Sequence, residues 1–198
     1  SLLTIIGMAW KGCAFSPASK PQPPAGLLEC VLTRNSRCQR LADLADRAMR
    51  SKPDQLATLA EALQPAVLAA GAAIMAVHAR GVQAEFKQDG SPVTQADQAA
   101  EDLLLPALAE LAGDIPVISE ENEASHQLAG GQRFFLVDPL DGTREFIKPG
   151  TSGAFTVNIG LIEAGSPVMG LVYAPMLDRL FIGVVGRGAV QITGGQTK

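Results

Sequence analysis

Two short stretches place carboxylates directly behind apolar runs. VISEEN (117–122) sets Glu120 and Glu121 after Val117-Ile118, and FLVDPLDGTREFI (135–147) sets Asp138 and Asp141 around Pro139-Leu140, followed by Gly142-Thr143. A solvated turn needs only one such acid. Carboxylates gathered at neighbouring strand ends repel one another unless a cation sits between them. Donors drawn from Asp, Glu and a backbone carbonyl select hard ions such as Mg²⁺, Mn²⁺ or Ca²⁺, and the lack of paired His or Cys argues against zinc. On this reading Asp138 and Asp141 flank one cation with the Leu140 carbonyl between them, and Pro139 stiffens the turn. Gly142 and Thr143 then offer N–H groups to a phosphate if a helix starts there. The chemistry implied is phosphate-ester hydrolysis by two or more cations ~3.5–4 Å apart, with a glutamate to help deprotonate water and a threonine hydroxyl to align it. The plainer alternative is that both stretches are polar turns, which suits SEEN taken alone better than DPLDGT.

The elements that must position these residues are legible from periodicity. Residues 53–80 are rich in Ala and Leu with apolar positions at 56, 59, 60, 63, 67, 70, 74 and 77, which is helical spacing. Pro65 should kink or restart that helix. His78 near its end reads as a surface histidine compensating the helix dipole, and His126 falls in a polar loop. A second helix follows Thr94 or Ser91 and stops at Gly113; Thr94 with Asp97 has the spacing of a local cap. Strand-length runs then appear at 115–119, 133–137, 155–163, 168–174, 179–185 and 189–192, the last four close enough to form an antiparallel meander. Helices first and strands afterwards predict an α+β fold, with helices layered on a largely antiparallel sheet.

Composition divides the chain near residue 53. Residues 1–53 carry eight basic and three acidic side chains, so the remainder holds eight basic and 17 acidic ones within a whole-chain charge of -4. An acidic body argues against nucleic-acid binding, which depends on phosphate neutralisation, and suits divalent cations. All three cysteines (Cys13, Cys30, Cys38) lie in the first segment, which contains the Pro-rich SPASKPQPP. Residues 1–53 are therefore expected to be an atypical arm or an overextended start, and 54–198 the functional lobe. The cysteine-free body suits a reducing compartment. No unbroken apolar run approaches the ~20 residues of a membrane span.

SPVTQAD, VISEEN and VDPLDGTREFI, in this order, resemble the motifs of the Mg²⁺-dependent, lithium-sensitive phosphatases of the inositol monophosphatase superfamily. The residues after DGT are most similar to its CysQ-type 3'(2'),5'-bisphosphate nucleotidases. The resemblance runs from about residue 54 to 185. It implies the N-terminal lobe of the sugar-phosphatase fold and two or three Mg²⁺ ions per complete site. Metal ligands would be Glu120, Asp138, the Leu140 carbonyl and Asp141. Gly142 and Thr143 would contact the substrate phosphate, and Thr143 with Glu120 would orient the attacking water. Asp97 would be the hydrogen-bonding partner of Thr143, a role that displaces the capping reading, and Glu121 would stand behind the ligands. The implied reaction converts adenosine 3',5'-bisphosphate to AMP and phosphate in the cytoplasm or at the cytoplasmic face of the inner membrane.

The family's later WDxAAG-like motif, source of a further metal aspartate, has no counterpart: the chain's one tryptophan, Trp10, is followed by Lys11. The second lobe that closes such sites is likewise expected to be missing, leaving this chain weakly active or inactive. Alternatives are an inositol or sugar monophosphatase, and an inactive metal-binding fragment or interaction module that forms homo-oligomers through exposed apolar faces.

Overall fold

The computed structural model describes residues 51–81, 84–86, 92–128, 132–148 and 155–197. The expected arm lies outside it up to residue 50, as does the alternative helix entry at Ser91. Contacts of the body begin no later than Ser51, whose backbone N–H and hydroxyl donate to the Glu163 carboxylate at 3.0 and 2.6 Å.

Helix α1 (Pro53–Arg80) starts with proline at its first position, where a missing N–H costs nothing, and ends at Gly81 with φ 89°. It runs through Pro65 as one helix, so of the two expected effects the restart does not occur. Leu63 and Val67, on either side, are fully buried, so tertiary packing overrides the lost backbone bond. The helix is also long and apolar enough, by length and composition, to cross a membrane. It reaches that average although its apolar residues are not one unbroken run, because the polar residues scattered along it are few. Here its stripe Leu56, Ala60, Leu63, Val67, Ala70, Ile74 and Val77 is buried in the protein core. Gly71 faces Tyr173 so closely that a Cβ would enter the ring, which is why only glycine serves there.

A short antiparallel pair, β1 (Ala84–Phe86) and β2 (Pro92–Thr94), leads into α2 (Gln95–Ala112). Seven strands then build one sheet in sequential order: β3 (Val117–Ser119), β4 (Arg133–Asp141), β5 (Thr156–Glu163), β6 (Ser166–Ala174), β7 (Arg179–Val184), β8 (Gly188–Thr193) and β9 (Gln196–Thr197). β3 and β4 are parallel, and every later pair is antiparallel. The α+β layered plan and the meander hold, with the meander extended backward to β4 and forward to β9.

The strands put Phe135, Val137, Val157, Ile159, Leu161, Leu171 and Leu180 into the same core as the buried stripes of α1 and α2. Alternation sends Ile118, Leu136 and Ile162 into a separate small cluster. DPLD, expected as a turn, is the end of β4: the strand continues to Asp141 with a register shift between Asp138 and Asp141. A bulge accommodates Pro139, which has no N–H for a ladder.

Candidate active site

The parallel pairing of β3 with β4 matches Ser119 to Val137, so both chains leave that register toward the same sheet edge carrying Glu120 and Asp138. The Glu120 N–H extends the ladder by one bond, donating to the Val137 carbonyl at 3.0 Å. The expected convergence of the two acidic stretches is thus set by backbone pairing. Asp138 is 2% exposed and stands opposite Asn158 of β5. Beyond the bulge, Asp141 is half-buried and accepts from Asn158 Nδ2 at 3.4 Å and from the Gly142 N–H. Burial, and then the Glu120 charge, raise its carboxyl above the ordinary value.

Gly142 takes φ 91°, a left-handed conformation that glycine adopts without strain, and so turns the chain into the four-residue helix α3 (Thr143–Phe146). The helix expected after DG exists but is a single turn, and the Gly142 N–H already serves Asp141. Phe146 anchors it: the ring is 1% exposed and meets Phe155 edge-on at 5.1 Å. His78 lies 5.4 Å from Phe146 and 6.1 Å from Phe155, ring centre to ring centre. Rather than a surface residue it is a half-buried wall of this anchor, reaching it from the last turn of α1.

Asp97 performs both roles that the sequence set against each other. Its Oδ2 accepts from the Thr94 N–H at 2.7 Å and the Thr94 hydroxyl at 2.8 Å, capping α2, while Oδ1 lies 3.4 Å from the Thr143 hydroxyl. Burial raises its carboxyl above the ordinary value, against the lowering effect of the Thr94 and Thr143 bonds. The Thr143 hydroxyl also lies 3.0 Å from the Leu140 carbonyl. One hydroxyl proton cannot serve both acceptors at once.

As a cation site, the donor chemistry fits: every candidate group is a hard oxygen. The assembly is looser than expected, since among the described residues no three His, Cys, Asp or Glu side chains converge closely enough to hold an ion ready-made. Glu120 and Asp141 are near enough to affect each other's charge, with Asp138 on the same edge. An open apolar trough on the sheet, lined by Gly160, Gly170, Val172 and Gly183, reaches Asn158 but none of Glu120, Glu121, Asp138 and Asp141.

Sequence reasoning missed Asn158 and Glu101. Both carried a signal: each is a polar residue in apolar phase, Asn158 within FTVNIGLIE and Glu101 on the buried stripe of α2 between Ala100 and Leu104.

A model of the family described as "Inositol monophosphatase family" matches residues 55–196. Among curated proteins, the chain is 50% identical over 121 residues to the 3'(2'),5'-bisphosphate nucleotidase CysQ of Salmonella typhimurium, covering 60% of this chain and 48% of that protein. Among solved structures, it is similar to CysQ from Bacteroides thetaiotaomicron (39% identity, TM-score 0.55, 68% of this chain and 49% of that one). A second is the extragenic suppressor protein SuhB from Bartonella henselae (30% identity, TM-score 0.57, 66% and 50%). The chain spans about half the length of these curated relatives.

Proposed function

The chain belongs to the inositol monophosphatase family, and from that premise we propose that its acidic sheet edge serves Mg²⁺-dependent hydrolysis of a phosphomonoester, the 3'-phosphate of adenosine 3',5'-bisphosphate. The observation that carries this reading is the parallel β3–β4 pairing, which delivers Glu120 beside Asp138 and Asp141. The nucleotide is favoured by the likeness to CysQ relatives named as bisphosphate nucleotidases.

Glu120, Asp138, the Leu140 carbonyl and Asp141 would hold the cations, which when bound polarise the phosphoryl group and lower the pKa of water. Thr143 can donate its one proton to Asp97, leaving its lone pairs to accept from the attacking water. Glu120 accepts a proton from that water as its oxygen attacks phosphorus. The ester P–O bond breaks, the nucleoside oxygen takes a proton, and AMP and inorganic phosphate leave. Gly142 and Thr143 line the phosphate's place at the start of α3.

The cytoplasm suits such a substrate; the membrane-face location has no support among the relatives, and we drop it. The test is Mg²⁺-dependent phosphate release from adenosine 3',5'-bisphosphate, with inositol 1-phosphate assayed beside it. Turnover of the nucleotide that disappears in Asp138→Asn is the expected result. Preference for inositol 1-phosphate would move the assignment to the monophosphatases.

A further inference from the structure

Helix α2 sends two acidic side chains, one helical turn apart, toward the two acidic stretches. Asp97 reaches Thr143 beyond β4, and Glu101 reaches Ser119 at the end of β3. Glu101 is 7% exposed, and its Oε1 accepts a hydrogen bond from the Ser119 hydroxyl. Ser119, 1% exposed, is the residue before Glu120 and is also held by Ser125 and His126. Its N–H donates to Ser125 Oγ at 3.0 Å. Its carbonyl lies 3.3 Å from the same hydroxyl and 2.9 Å from His126 Nε2. The Ser125 hydroxyl is also 2.6 Å from the Asn122 carbonyl, tying the start of the following 3₁₀ turn to the end of β3.

We propose that Glu101 is a positioning residue: by holding the Ser119 side chain against α2, it fixes the backbone that aims Glu120 at the cation site. This deepens the proposed function and rests on that reading for the role of Glu120. The physical reason for using a buried acid is rigidity. β3 has only three residues and pairs with β4 alone in the sheet, so its last residue depends on contacts outside the ladder, and Glu101 supplies the one that ties its side chain to α2. Asp97 and Glu101 on one helix would then make α2 the ruler that sets the separation between Glu120 and Thr143.

The test uses the full chain and three variants: Glu101→Gln, which keeps an acceptor for Ser119, Glu101→Ala, which removes it, and Ser119→Ala, which removes the donor with little change in packing. Amide hydrogen exchange without metal is the first readout. Glu101→Ala and Ser119→Ala should speed exchange at the Ser119 and Glu120 amides roughly ten-fold relative to the rest of the sheet, and Glu101→Gln should not. Mn²⁺ titration is the second, with a loss of about 10- to 100-fold in affinity for the two alanine variants and near-complete rescue by Glu101→Gln. Unchanged local exchange in Ser119→Ala would overturn the proposal, as would wild-type Mn²⁺ affinity in both alanine variants. If Glu101→Ala does not fold, Ser119→Ala decides. A wild-type chain that binds no Mn²⁺ would sink the functional reading instead, and the exchange data would still decide whether Glu101 holds the Glu120 backbone.

Discussion

The β4–β5 ladder buries a carboxylate at each end and treats the two differently. At one end Glu163, 3% exposed, faces Arg133 across the ladder, with Arg133 Nε 2.9 Å from its Oε1 and Ser51 donating twice. The Arg133 contact lacks hydrogen-bond alignment, so it acts through charge. At the other end Asp138 faces an asparagine, and Asp141 is held by an amide and a backbone N–H while Glu120 adds like charge. The first end closes on itself. The second sets an asparagine opposite Asp138 and like charge near Asp141, and on the proposed function that asymmetry separates a structural acid from a functional one.

The largest effect should come from the closed end. Arg133→Ala leaves Glu163 buried with, among the described residues, Ser51 as its partner, and we expect a loss of about 2 kcal/mol in urea unfolding. This is below the roughly 3–5 kcal/mol of a fully buried pair, because the Arg133 side chain is 37% exposed. No effect would mean that the two ends are not distinct.

Asp97 gives an intermediate effect with a pH signature. Burial lifts its carboxyl above the ordinary value, so the folded chain holds that proton more tightly than the unfolded chain does. The resulting stability is complete below the ordinary carboxylate value and is lost as pH rises through the folded one. Asp97→Asn should cost about 1 kcal/mol through the weakened cap of α2 and flatten that slope in a series of denaturant melts at stepped pH.

The smallest effect belongs to the open end. Asp141→Asn removes a half-buried charge repelled by Glu120, so the metal-free chain should be unchanged or stabilised by less than about 1 kcal/mol. Destabilisation as large as that of Arg133→Ala would make Asp141 a structural acid.

Much of the molecule was legible in residue order, for physical reasons that also mark where legibility ended. The stripe of α1, the Thr94 entry and Gly113 stop of α2, and the strands around Gly160 and Gly170 follow from periods of 3.6 and 2 and from their breakers. The parallel neighbourhood of β3 and β4 rests on pairing between distant segments; the sequence could pose it only as a condition. The bulge at Pro139-Leu140 was hidden because Pro between two acids reads equally as a turn. β1, β2 and β9, of two or three residues each, are too short to show a period. Glu101 and Asn158 were passed over because a lone polar residue within an apolar pattern looks like noise until its partners, Ser119 and Asp141, are seen beside it.

The most direct test of the central claim is calorimetric titration of Mg²⁺ into the wild-type chain, Asp138→Asn and Glu163→Gln. The open-end account predicts that Mg²⁺ binds the wild type and Glu163→Gln alike, and that binding is lost in Asp138→Asn. Equal affinity in Asp138→Asn and wild type, or loss in Glu163→Gln instead, would contradict it.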